Sequence, residues 1–389
     1  MDQTIRNRFS IPLIAVVLTY LAIELLSFLS IIVLRETRGV EYWPIKLSVS
    51  EERQEQIERL LDDRSLYAQQ DPDLGWSIRK NGYSGDLYRA NADGIRADRD
   101  YPLTPPDGVL RIATFGDSFT HSDDVRNEHT WQTYMESRKP GLEVLNFGVG
   151  AYGLDQAFLR FERDGRKYNP HIVLIGFMSE NIYRNVSVYR PFYIRQSGAP
   201  LTKPRFRIAR DKLDLLGNPL AGRSDYQRLF DDPASVLKQI GKDDWHYNQR
   251  PKEGAFDILP SIRIVSMATY EARRLFQNEA YDEDSELFQL TLRIFDAFYD
   301  SVIESGAEPV IVLFPRLEDV KEFRKTGSNV FTPMHRYFES SGYRYIDLHD
   351  AFDAYASDMS IGDIFIEHYS PAGNEIVARF LALQLGIGQ

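Results

Sequence analysis

Residues 11–34 are apolar with scarcely an interruption, whereas from residue 110 onward apolar positions fall into short runs separated by stretches of helical spacing. The first pattern predicts one long helix. At 1.5 Å per residue it would extend about 36 Å, enough to cross a hydrocarbon layer of about 30 Å. Its single charge, Glu24, costs about 3 kcal/mol at a bilayer centre, and the surrounding Leu, Ile, Val and Phe each return about 0.3–0.6 kcal/mol, so insertion wins. Glu24 is then either protonated in lipid or facing a partner helix in the membrane. The stretch is too long for a cleaved signal peptide and no small-x-small site follows it, so it reads as an uncleaved anchor. Arg6 and Arg8 precede it and Arg35, Arg38 and Lys46 follow, so flanking charge does not set its orientation.

The second pattern predicts strands at Leu110–Phe115 and at residues 142–147, 172–177, 309–314 and 343–348. Each is short, rich in β-branched or aromatic residues and bounded by turn residues. Helical spacing lies between them at 130–137, 154–163, 286–306 and 333–341. This alternation predicts a three-layer α/β/α fold on a five-stranded parallel sheet, whose ligands bind at the carboxyl ends of the strands. Residues 1–10 form a tail. Residues 35–108 form a juxtamembrane helix (50–70) and a turn-rich collar, and 109–389 form the main domain. An insertion at about 182–285 contains a hairpin at 205–216 and reads either as a lid over the substrate or as a stabilising subdomain.

Composition narrows the chemistry. A net charge of -11 without a basic stripe excludes nucleic acid as a partner. The absence of cysteine removes disulfides, thiolate metal sites and thiol nucleophiles. The remaining histidines show no metal-ligand spacing, and no phosphate-binding or dinucleotide motif is present, so no cofactor or metal is expected.

Two distant segments carry candidate chemistry. Gly116-Asp117-Ser118-Phe119-Thr120 follows the first strand, where Gly116 lets the backbone turn sharply and Ser118 opens the next element. Helix-start N–H groups there can stabilise an oxyanion, although a serine in this position can equally be a plain helix cap. His368 precedes Ser370-Pro371, which begins a final helix. Between them, Asn146 to Gly153 forms a glycine-rich loop after the second strand, and Gly176 to Asn181 follows the third. His121 reads as a pocket-lining, surface or capping residue, and Asp117 as structural.

These four segments, in this order, resemble the SGNH (GDSL-type) hydrolase superfamily, over roughly residues 111–389 without the insertion. The resemblance implies a flavodoxin-like sheet, Ser118 as nucleophile and His368 as general base. It also implies oxyanion donors from the Ser118 N–H, the Gly150-Ala151 loop and the Asn181 side chain. Leu74-Gly75-Trp76 and Asn91 to Arg96 resemble the collar of membrane-anchored bacterial members, which implies a single-pass membrane protein with an extracytoplasmic catalytic domain. Two positions depart from the family. Ala151 stands where glycine is usual, and Phe365 occupies the place of the aspartate three residues before the histidine. The imidazole would then be oriented by Asp363, by Glu367 or by a backbone carbonyl.

The expected function is hydrolysis of O-acyl esters, acetyl above all, through an acyl-enzyme, with a cell-surface polysaccharide as the implied substrate. A sugar acceptor in place of water would make the chain an O-acetyltransferase, and loss of the orienting aspartate would leave a carbohydrate-binding or assembly module. An α/β-hydrolase is disfavoured by the missing Gly-x-Ser-x-Gly elbow.

Overall fold

The computed structural model describes residues 3–38, 47–194, 197–250, 255–276 and 278–387. Five parallel strands form its centre: β1 (Leu110–Phe115), β2 (Leu142–Asn146), β3 (Ile172–Met178), β4 (Glu308–Phe314) and β5 (Tyr345–Asp347). Their order in the sheet is β5-β4-β3-β1-β2. β3 is buried along its whole length, as a strand covered on both faces must be. One apolar layer packs Phe115, Phe161, Phe177, Phe295 and Phe298 together, and the opposite layer packs Trp131, Leu174, Val312, Phe352 and Leu381. The fold is therefore the three-layer α/β/α arrangement that the alternation predicts.

Element ends differ from the predicted ranges for local reasons. β5 stops at Asp347, whose carboxylate accepts from the His349 N–H and caps the helix that follows. The helix predicted over 154–163 is regular only for Leu154–Arg160 and then widens through residues 161–165. Gly165 lies so close to Phe115 that a Cβ there would be 2.3 Å from the ring.

Ser50 caps a helix at Glu51–Leu61, after which Ala68–Asp71 pairs antiparallel with Gly75–Ile78. In the insertion, Arg205–Ala209 pairs with Lys212–Leu216 across a turn whose Arg210 and Asp211 both have positive φ. Collar and insertion share one apolar cluster, including Trp76, Ile78, Tyr189, Leu201 and Tyr226, which also takes in Val149 and Tyr152 from the loop after β2.

The N-terminal helix α1 (Gln3–Arg38) contains a stretch, Pro12–Thr37, long and apolar enough to cross a membrane. Glu24 has a partner within the chain. Its carboxylate accepts from the backbone N–H of Ser261 at 3.1 Å and the Ser261 hydroxyl at 2.5 Å, at the start of α2 (Pro260–Phe276) in the insertion.

Candidate active site

β1 delivers its chain into a four-residue helix, Ser118–His121, capped by Asp117, whose carboxylate accepts from the Phe119 N–H at 2.9 Å. Gly116 serves this turn by close packing rather than by unusual dihedrals. A Cβ at Gly116 or at Gly176 of β3 would stand 2.1 or 2.2 Å from the Thr120 hydroxyl, so the two glycines let the helix sit directly on the strand ends. Asp117 is buried and pairs with Arg184 at 3.2 Å, the structural role its position suggests. Ser118 itself is 6% exposed, and neither its backbone N–H nor its hydroxyl finds a partner among the described residues.

Ser122 ends this helix in the left-handed region, and Asp124 adopts it too, with φ of 63° and 70°. Aspartate tolerates that conformation better than most residues. The double reversal folds Asp123 and Asp124 back beside Ser118, with the Asp123 N–H donating to the Ser118 carbonyl oxygen at 3.0 Å. Asp124 then meets the C-terminal segment. Its Oδ2 accepts from the His368 N–H at 3.0 Å and lies 2.8 Å from Nδ1 of the ring. Phe119 packs against the same imidazole, ring centres 4.9 Å apart.

The carboxylate placed at Nδ1 of His368 is thus that of Asp124, rather than Asp363 or Glu367. Asp363 is turned away into the cap of a short helix, where its carboxylate accepts from the Ser360 N–H and hydroxyl. Glu367 lies on the cleft wall but makes no hydrogen bond to His368, and Phe365, three residues before the histidine, is buried against Phe352 and Tyr369. Among the described residues no backbone carbonyl takes Nδ1. With Nδ1 held, Nε2 is the nitrogen free to exchange a proton.

Ser118, His368, Gly150 and Ala151 all line one open cleft of about 870 Å³. No hydrogen bond joins Ser118 to His368 in this structure. Serine and histidine in unliganded sites commonly close that gap only when substrate binds. Ala151 has φ +66°, a left-handed conformation that glycine adopts more readily than alanine, and the N–H groups of Gly150 and Ala151 have no acceptor among the described residues. Asn181 opens a short helix just after β3 and is 1% exposed, with neither side-chain polar atom partnered among the described residues. Met178, the last residue of β3, lies on the cleft wall.

The collar fastens both active loops. Trp76 Nε1 donates to the Gly150 carbonyl oxygen at 3.0 Å, and the Tyr152 hydroxyl donates to that of Trp76 at 2.5 Å. Arg96, buried, donates to the carbonyl oxygens of His121 and Ser122 at 2.6 Å and of Val125 at 2.5 Å, bracing the turn that carries Asp124.

His121 is neither on the surface nor a cap. It is buried on the cleft wall, with Nδ1 2.5 Å from Asp123 Oδ1 and Nε2 2.5 Å from the Tyr67 hydroxyl. Burial first, and the neighbouring Arg96 second, push its pKa down to about 4, so it is neutral at pH 7. The neutral ring donates from Nδ1–H to Asp123 and accepts the Tyr67 hydroxyl at Nε2. Across the cleft, burial opposes the charge of Glu180, but Arg184 and Arg190 outweigh it and hold the carboxyl at about 2.

Fold and cleft together define an open α/β/α protein with a Ser-His-Asp constellation at the carboxyl edge of its sheet. No known family's sequence model matches the chain, and neither does any curated protein. Solved structures with a similar chain arrangement include a lipolytic protein of the G-D-S-L family from Desulfitobacterium hafniense, 12% identical, covering 71% of this chain and 99% of that one at a TM-score of 0.32. An α/β-hydrolase enzyme from the metagenome of Lake Arreo is 13% identical over 72% and 96%, at 0.39. An acetylxylan esterase from Geobacillus stearothermophilus is 14% identical over 72% and 94%, at 0.37.

Proposed function

We propose that the chain is a membrane-anchored serine hydrolase of O-acyl esters. The observation that carries this reading is the Asp124-His368 pair standing on the same cleft wall as an unpartnered Ser118 hydroxyl. In the proposed cycle, Ser118 Oγ attacks the ester carbonyl as His368 Nε2 takes its proton, and Asp124 stabilises the imidazolium. The N–H groups of Ser118, Gly150 and Ala151 receive the negative oxygen. His368 then protonates the departing alcohol, leaving an acyl-Ser118 ester, and activates water to hydrolyse it. The Asn181 side chain, unpartnered among the described residues, is the further donor this reading assigns to the oxyanion.

A cleft far larger than an acetyl group, lined by Tyr67, Trp76 and Tyr88, supports a bulky acyl carrier such as an acetylated polysaccharide. The same dimensions admit a sugar hydroxyl as second nucleophile, which would make the reaction a transfer. Full-length protein in detergent should hydrolyse p-nitrophenyl acetate, and Ser118→Ala should abolish that activity. Equal turnover by both proteins refutes the reading. Adding a methyl glycoside and measuring acetylated sugar against free acetate separates transfer from hydrolysis.

A further inference from the structure

We propose that α2 and the turn before it lie inside the bilayer beside α1, making the insertion a second, half-membrane contact. The hydrogen bonds from Ser261 to Glu24 fix the depth of α2 relative to α1. Along α1, the first flanking cations are Arg8 and Arg35. Glu24 stands 11 residues before Arg35, about 16 Å along a helix, which puts it below the headgroups and inside the hydrocarbon.

On α1 the half-covered residues are Glu24, Ser27, Ile31 and Leu34, a stripe at helical spacing, while Leu21, Leu25, Leu26 and Phe28 around it are exposed. α2 therefore runs along the second half of the anchor, between Glu24 and the level of Arg35. The turn before α2 and α2 itself expose apolar surface: Phe256 is 71% exposed and Ile258 77% in the turn, and Val265 62% on the helix. Side chains of this kind flank the anchor's own bare apolar surface, and one solvent, hydrocarbon, accounts for both. Between residues 255 and 270 the sequence carries only Asp257 and Arg263 as charges, and the Arg263 Nε donates to the Asp257 carbonyl oxygen. Charge returns at Glu271, Arg273 and Arg274, 10 to 13 positions past Ser261, or about 15–20 Å along the helix, where the hydrocarbon ends. Glu24 then has a structural task, capping the submerged start of α2.

The inference rests on α1 spanning the bilayer, and the test separates the two. Because the chain has no cysteine, single replacements report cleanly. Full-length Leu25→Cys, Ile258→Cys, Val265→Cys and Lys212→Cys, all at exposed positions, are reconstituted in phosphatidylcholine nanodiscs and treated with a charged, water-soluble maleimide. Residues 25, 258 and 265 should label at least tenfold more slowly than residue 212. After fluorophore attachment in detergent and reconstitution, the same three should be quenched by phospholipid carrying a nitroxide deep on its acyl chain. Fast labelling at 258 and 265 with protection at 25 overturns the inference alone, and fast labelling at all three overturns the anchor as well. Slow labelling without quenching assigns the cover to protein, and quenching only by headgroup nitroxide places α2 at the surface; either result overturns it.

Discussion

Replacing Asp124 by asparagine removes the charge that faces His368 while preserving side-chain size. In the proposed cycle the imidazole becomes positive in the transition state, with the carboxylate on Nδ1 at 2.8 Å. Opposite charges centred about 4 Å apart attract by about 4 kcal/mol at an effective dielectric constant of about 20. The Asp124 side chain is 29% exposed, so solvent screens part of this and about 2–3 kcal/mol remains. At about 1.4 kcal/mol per decade, kcat should fall about a hundredfold with KM little changed. An asparagine that presents its NH2 to Nδ1 would also impose the wrong tautomer and deepen the loss toward about 10⁴-fold. The assay is p-nitrophenyl acetate hydrolysis by full-length protein across pH, beside Asp363→Asn, with thermal melts to confirm folding. Asp363→Asn should retain activity. If Asp124→Asn stays within fivefold of the parent while Asp363→Asn collapses, the assignment of the orienting carboxylate is wrong.

Other outcomes follow from the same geometry. His121 has a folded pKa of about 4 against about 6.5 when unfolded, so the unfolded chain binds more protons between those values and stability falls as pH drops through that window, by about 3 kcal/mol in full. His121→Asn should flatten that slope in melts from pH 7 to 4, and an unchanged slope would contradict it. Arg96→Lys cannot reach three carbonyl oxygens at once and should lose about 2–4 kcal/mol of stability together with activity, read by urea denaturation and kcat. Ala151→Gly relieves a left-handed alanine and should gain about 0.5–1 kcal/mol in the same denaturation. Gly148→Ala would set a Cβ 2.3 Å from the His121 backbone nitrogen, and should cost about 3 kcal/mol or more because backbone cannot swing aside.

Periodicity sufficed for the five strands, the 205–216 hairpin and the long apolar helix, because each is decided by neighbours within a few residues. The segment from Gly116 to Thr120 and the returning histidine were legible for a similar reason: glycine, serine and proline mark a strand-to-helix turn and a helix start locally. Asp124 was not. Its partner is 244 positions away, and its place beside His368 depends on two left-handed residues that no spacing rule announces. The only local hint is a pair of aspartates, which tolerate that conformation, just after the nucleophile helix.

The sequence by itself determined the layers of the fold, the edge of the sheet where chemistry can occur, and the segments able to meet there. Tertiary structure decided which carboxylate faces His368, that Asn181 is buried, that collar residues Trp76 and Arg96 brace the loops around Ser118, and that Glu24 meets Ser261. Patterning records which face of an element is buried, a property of single elements. Pairing between distant side chains arises only when those elements pack, and is fixed by the geometry of the assembled whole.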